Sequence, residues 1–225
     1  MPVYLLDETC DFPPPEGAED GIVAIGGDLS LQRLLNAYKD GIFPWYSEGE
    51  PIIWWSPDPR FVLKPSDLHI SKSMHRVLNS TAFRVTLDTA FPLIIRQCAE
   101  VSRKEEDGTW ITEDMIAAYC ALYESGYAHS VEVWKEDILV GGIYGVSLGR
   151  IFFAESMFHT ETNASKLAFI RLIQLLKQKE FLLLDAQVYT KHVASLGAKE
   201  IPRNEFMQTL QKGLQYESWV GKWKF

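Results

Sequence analysis

The sequence predicts an α+β fold built around a mixed, mostly antiparallel sheet. Three observations predict it: helical periodicity in residues 89–126, three alternating segments joined by tight turns in 128–158, and a helix, an apolar strand and a helix in 163–214. With 225 residues, 47% of them hydrophobic and 12% aromatic, the chain can bury a substantial core as one large domain or two small ones. No part of it has the composition of disorder.

Taken in order, "DFPPPEG" at 11–17 reads as an extended surface arm that begins no helix, because consecutive prolines remove backbone donors and fix φ. "GDLSLQRLLNAYKDG" places Leu31, Leu34, Leu35 and Tyr38 at helical spacing, with Ser30 as N-cap and Gly41 just past the end. "GIFPWYSEGEPIIWWSPDPR" holds three of the seven tryptophans and four prolines in 20 residues. Such aromatics either form a stacking wall for a base or an apolar side chain, or plug the core of a small domain. "FRVTLD" alternates as a strand and "TAFPLIIRQCAEV" repeats as a helix. "TEDMIAAYCALYESG" adds another helix, with Thr112 as N-cap, Met115, Tyr119 and Leu122 on one face and Gly126 at its end.

An antiparallel meander follows: "AHSVEVWKED", "ILVGGIYGVSLG" and "RIFFAESMF", turning at Glu136-Asp137 and at Leu148-Gly149. "NASKLAFIRLIQLLKQK" then buries Leu167, Phe169, Ile170, Ile173 and Leu176 and turns Arg171, Gln174 and Gln178 outward. "FLLLDAQV" is a strand and "NEFMQTLQKGL" a closing helix. Gly141, Gly142 and Gly145 are expected to permit close strand packing or a bulge, since no helix follows them to make a phosphate loop.

Composition excludes several classes. The net charge of -8 and pI near 5.2 disfavour extensive duplex binding, although "HISKSMHR" at 69–76 carries Lys72, His75 and Arg76 with no acid. Cys10, Cys98 and Cys120 are odd in number without C-x-x-C spacing, so they are expected to stay reduced, and the histidine spacings give no signal for a metal. His129 and His192 read as satisfied structural histidines, and neither metal nor cofactor is expected. The N-terminus lacks the basic start and apolar run of a secretory signal, and no stretch approaches the roughly 18 apolar residues needed to cross a bilayer. The expectation is a cytoplasmic monomer.

The residue that asks for chemistry is Glu155, set in "IFFAESMF". A carboxylate among aromatics in a core strand must pair, protonate or face a cavity that a ligand fills. On alternation, Asp185 and Gln187 of "FLLLDAQV" share a strand face, so Glu155 and Asp185 can share one cleft. A buried salt bridge for Glu155 is the plainer alternative.

The order strand, strand, strand, helix, strand, helix resembles the GNAT-type N-acyltransferase fold, whose glycine-rich loop for the pyrophosphate of coenzyme A is replaced here by "HTETNASK". "GGDLS", "LLNAYKDGIFPWY", "WWSPDPR", "GTWI", "AHSVEVW", "LVGGIYGV", "ESMF", "NASK", "DAQ" and "ASLGA", in this order, closely resemble the bacterial leucyl/phenylalanyl-tRNA–protein transferase family. The resemblance spans roughly residues 12–206 and implies a small N-terminal domain, placed here at 1–62, before a GNAT-like catalytic domain at 63–225.

It also implies transfer of Leu or Phe, and to a lesser extent Met, from Leu-tRNA or Phe-tRNA to the N-terminal Arg or Lys of acceptor proteins, marking them for N-degron proteolysis. Carried over residue by residue, it makes Asp185 and Gln187 the catalytic pair, with Asp185 orienting Gln187 so that its amide oxygen accepts from the attacking amine. Glu155 becomes the selector of a cationic acceptor. Trp45 and Trp110 hold the terminal adenosine and aminoacyl group, with Phe152 and Met157 as further pocket residues and Ile143 and Leu172 standing where some relatives carry Met and Phe. Lys72, Arg76 and Arg84 are the expected tRNA-backbone contacts. Two rivals are a coenzyme A-dependent N-acetyltransferase, which the missing glycine loop disfavours, and a non-catalytic tRNA or N-degron binding module, which would show no turnover.

Overall fold

The computed structural model describes residues 4–18, 20–105 and 110–224; Gly108 and Thr109 of the "GTWI" motif lie outside them. The first elements are β1 (Tyr4–Leu6), β2 (Ile22–Gly26), α1 (Leu31–Lys39), β3 (Phe43–Pro44), β4 (Ile53–Trp55) and β5 (Arg60–Leu63). Next come α2 (Lys72–Leu78), β6 (Arg84–Leu87), α3 (Phe91–Glu105) and α4 (Glu113–Glu124). The meander is β7 (Ala128–Lys135), β8 (Ile138–Leu148) and β9 (Ile151–His159). The chain closes with α5 (Ala164–Gln178), β10 (Leu183–Asp185), α6 (Lys191–Ala194), β11 (Lys199–Ile201) and α7 (Arg203–Leu214).

The predicted caps explain where helices start. Ser30 accepts from the Arg33 amide and Thr112 from the Met115 amide, each satisfying a donor that the first turn leaves orphaned. Gly41 ends α1 at φ 69, and a Cβ there would lie 2.8 Å from the Met207 sulfur. "DFPPPEG" departs from expectation: Pro15–Gly17 form one 3₁₀ turn, which Pro can open because its missing N–H has no partner to lose, and Pro15 is buried.

A four-stranded sheet runs β1-β2-β4-β3 and a seven-stranded sheet runs β11-β5-β10-β9-β8-β7-β6. In the larger sheet β10 and β9 are parallel, and its other neighbouring strands pair antiparallel, as the sequence predicts for a mixed, mostly antiparallel sheet. Strand β5 belongs to the large sheet and runs across the expected domain boundary at residue 62. The second meander turn falls at Gly149-Arg150, one residue later than expected.

Alternation along β9 splits the core in two. Phe153 packs with α1, α3 and α4 through Tyr38, Ile94 and Tyr119, whereas Phe152 packs on the opposite face with α5 through Phe169 and Leu172. The glycines of β8 allow close approach: a Cβ on Gly142 would stand 2.2 Å from Ile94 of α3, one on Gly141 would stand 2.6 Å from Ala164 of α5, and one on Gly145 would stand 2.1 Å from the Phe153 carbonyl oxygen of β9. Among the described residues no helix is long and apolar enough to cross a membrane.

Candidate active site

The site forms where the large sheet comes apart. Strand β10 pairs with β9 through Leu183–Asp185 opposite Ile151–Phe153, and the pairing stops there. Beyond Asp185 the chain stays bonded to β5, with the Ala186 amide donating to Phe61 and the Phe61 amide donating to Gln187. On the other side, β9 carries a bulge: Ala154 faces Gly145 and Ser156 faces Tyr144, leaving Glu155 as the extra residue. A bulge re-aims the side chain that it frees, and here it points Glu155 into the gap.

Across that gap the Gln187 amide Nε2 donates to Glu155 Oε1 at 3.1 Å, and Tyr119 donates to Oε2 at 3.1 Å. The Tyr119 and Tyr38 hydroxyls are bonded to each other. Burial pushes the Glu155 carboxyl up to about 7; hydrogen bonds from Tyr38 and Tyr119 pull it down, the Asp185 charge raises it and Arg60 lowers it. Burial first, then the Glu155 charge, holds both tyrosines in their protonated form, so they remain donors. No cation touches Glu155 among the described residues, which leaves the core-salt-bridge alternative unfulfilled.

The salt bridge belongs to Asp185 instead. Arg60 Nε and Nη2 clamp its two oxygens at 2.9 and 2.7 Å, with both side chains fully buried and the guanidinium lying over the Phe43 and Phe206 rings. Asp185 Oδ1 also accepts from the Gln187 main-chain N–H at 3.0 Å. This corrects the expected geometry: the strand ends at Asp185, and Gln187 sits at φ 56 in a three-residue turn closed by Val188 N–H donating to Ala186. Non-glycine residues adopt such a φ at a cost, and the buried ion pair holds the turn. Asp185 therefore positions the Gln187 backbone and does not touch its side-chain amide. Arg60, within "WWSPDPR", carries no expected role, since no spacing rule links it to a residue 125 positions on.

A cavity of about 460 Å³ opens from the gap, and both cores contribute to it, Phe43 and Trp110 from one and Ile143, Met157 and Phe169 from the other, with the exposed Trp45 also lining it. Glu155 and Gln187 line it too. Of the predicted pocket residues Trp45, Trp110, Ile143 and Met157 are brought together; Phe152 and Leu172 are not. Phe152 shares the face of β9 with the cavity-lining Ala154 but packs in the α5 core against Trp223, and Leu172 lies in that same core. Lys72 and Arg76 are exposed one turn apart on α2. Arg84 leaves the expected strip: it lies on edge strand β6, three strands from β9, stacked over Trp134 and 3.9 Å from Asp137. His129 is structural as expected, bonded to Asp88 at 2.8 Å and stacked on Trp223, and the three cysteines are free.

A sheet opened by a bulge beside its one parallel neighbour, with a carboxylate and an amide facing each other across the opening, has the build of a GNAT-like acyltransferase. Comparison with known proteins narrows this. Residues 62–211 match the family described as leucyl/phenylalanyl-tRNA protein transferase and residues 27–58 match the N-terminal domain of that family. The chain belongs to the leucyl/phenylalanyl-tRNA–protein transferase family and is an aminoacyltransferase. Similar proteins of that name include one from Syntrophus aciditrophicus, 54% identical over 99% of this chain and 94% of the relative, and one from Syntrophobacter fumaroxidans, 53% identical over 99% and 97%. Among solved structures the chain is similar to an aminoglycoside acetyltransferase from an uncultured soil sample, with TM-score 0.40 and 14% identity over 65% of this chain and 97% of that one. It is similar also to L-PGS from Bacillus licheniformis, with TM-score 0.41 and 12% identity over 72% and 57%.

Proposed function

We propose that the protein takes Leu or Phe, and Met to a lesser extent, from the 3′ end of aminoacyl-tRNA and joins it to the N-terminal Arg or Lys of acceptor proteins, marking them for N-degron proteolysis. It does so as a monomer in the cytoplasm. The observation that carries this reading is Glu155: half-buried at the cavity wall, held by neutral donors, and without a cation bonded to it among the described residues. A shielded carboxylate with no counter-ion favours a ligand that brings one, and the acceptor's first side chain would do so. A neutral first residue would leave the desolvated carboxylate unpaired.

The acceptor's α-amine attacks the ester carbonyl, the new C–N bond forms, and the bond to the ribose 3′-oxygen breaks. That oxygen leaves with the proton that the amine gives up. Gln187 donates its NH₂ to Glu155, so its amide oxygen is left to accept an N–H of the attacking amine and fix its approach. An α-amine with pKa of about 7.7 to 8.0 is partly neutral at cellular pH, so no strong base is needed. Trp45 and Trp110 offer ring faces to the terminal adenosine, and Met157 and Ile143 offer an apolar wall to a side chain that is not branched at Cβ. Lys72 and Arg76 contact acceptor-end phosphates.

The test is transfer of labelled Phe from Phe-tRNA to two peptides that differ only in Arg or Ala at the first position, beside a parallel incubation with labelled acetyl-CoA. Label on the Arg peptide alone supports the reading. Acetylation, or binding of Phe-tRNA without transfer, would replace it with one of the rivals.

A further inference from the structure

Among the described residues several buried side-chain nitrogens and oxygens have no hydrogen-bond partner, and one of these atoms, His192 Nε2, belongs to a residue that lines the cavity. The expectation of a satisfied structural histidine therefore fits His129, whose Nδ1 is bonded to Asp88, and does not fit His192. Local structure sets where the His192 ring stands. Thr190 caps α6 by accepting from the Val193 amide, and Gln187, Val188, Thr190, His192 and Val193 line the cavity as one segment, so His192 follows Gln187 along the same wall. Burial lowers the His192 pKa, and the Lys166 and His159 charges lower it further, so the ring is a neutral imidazole at neutral pH. A buried nitrogen without a partner costs free energy until a ligand supplies one. Being neutral, the ring calls for neither an anion nor a cation. A hydroxyl, which both donates and accepts, satisfies Nε2 in either tautomer.

We infer that His192 Nε2 hydrogen-bonds the 2′-hydroxyl of the donor's terminal ribose, a conclusion that rests on the donor being an aminoacyl-tRNA. In that reading the Leu or Phe side chain carries no polar atom, the adenine belongs to Trp45 and Trp110, and the attacking amine belongs to Gln187. The 2′-hydroxyl stands on the carbon next to the one that bears the ester, so it enters the cavity with the reacting carbonyl, and every aminoacyl-tRNA brings it. Tied to His192, the ribose holds the carbonyl toward the amine at Gln187, on the same wall. His192 is thus a binding residue and takes no proton. The contact also tells a ribonucleotide end from a deoxyribonucleotide end, which stacking of the base on tryptophan does not do.

The experiment uses Phe-tRNA acylated at the 3′-oxygen, its terminal nucleoside either adenosine or 2′-deoxyadenosine, with an Arg-initiated peptide as acceptor. The readout is the ratio of kcat/KM for the ribose donor to that for the deoxyribose donor, divided by the same ratio for uncatalysed cleavage by hydroxylamine, which removes the hydroxyl's own effect on ester reactivity. Wild type should give a ratio of about 10 to 100, the loss expected when a buried hydrogen-bonding group is left without its partner. His192→Leu should bring the ratio close to one, and His192→Gln, whose amide still donates and accepts, should keep most of it. Both donors meet the same enzyme preparation, so any fall in the folded fraction of a variant cancels from its ratio. A wild-type ratio near one, or one that His192→Leu leaves unchanged, overturns the hydroxyl contact and leaves the transferase reading intact. A wild type that transfers Phe from neither donor overturns the transferase reading itself.

Discussion

Replacing Glu155 by Gln should stabilise the protein at neutral pH and spoil its choice of acceptor. The carboxyl rises from an ordinary 4.5 to about 7 because burial disfavours its charge. Below pH 4.5 it is protonated folded and unfolded alike, and its contribution is fully present. Between 4.5 and 7 the folded state holds a proton that the unfolded chain has released, so stability falls as pH rises, by about 1.4 kcal/mol per pH unit. Above 7 the loss is complete, at about 3 kcal/mol. An uncharged amide escapes it. Urea unfolding at pH 5 and pH 8 should show the wild type losing stability relative to Glu155→Gln across that interval. In the same variant the ratio of kcat/KM for Arg-initiated over Ala-initiated peptides should collapse toward one, and using a ratio cancels the titration of the attacking amine. The introduced amide can keep its oxygen toward the Gln187 NH₂ and turn its own NH₂ to the Tyr119 hydroxyl, so Gln187 keeps its orientation and turnover on the Ala-initiated peptide should change little. Parallel stability curves together with an unchanged peptide ratio would refute both the burial argument and the acceptor assignment.

Arg60→Met should cost about 3–5 kcal/mol of stability, because it strands the Asp185 carboxylate in the core, and adding Asp185→Leu should recover most of the melting temperature but not turnover; recovery of both would show that the pair does not position Gln187. Gln187→Gly should keep the melting temperature, since glycine accepts φ 56 freely, yet lower turnover by about 10- to 10,000-fold, and near-normal single-turnover rates would remove Gln187 from the mechanism. Tyr119→Phe deletes a donor that holds the Glu155 pKa down, so the pH at which the Arg-over-Ala preference appears should move upward, and a downward move would show that another group sets it.

How much of this was legible in the sequence depends on the range of the interaction. Caps act within three residues, and Ser30 and Thr112 were found by inspection. Period-two alternation sorted the meander and gave the α+β order. What local pattern could not give was the pairing of β5 with β10 and β11, strands of four residues or fewer, too short for a pattern that reveals their partners. Helix α2 was missed because its seven residues have a single buried apolar anchor, Met74, and show no stripe. Phe152 and Leu172 were carried over by resemblance alone; each shares a face with a residue that lines the cavity, Ala154 and Phe169, so place along the element and not direction sets them apart.

The two acids show the same limit at the site itself. Both sit in apolar strands, and sequence logic placed them in one cleft as equals. The fold separates them by what lies next to each. Asp185 is in register with Val62 of β5, so the guanidinium two residues back can close on both its oxygens, and its charge is spent on structure. Glu155 is the residue that the bulge leaves out of register, so among the described residues no neighbouring strand supplies it a cation and the donors bonded to it are neutral. A one-residue slip in β9 thus decides which carboxylate is structural and which is left open to a ligand. Because Gly145 is where that slip is absorbed, and a Cβ there would meet the Phe153 carbonyl oxygen at 2.1 Å, the selectivity assigned to Glu155 rests on a glycine that touches no substrate.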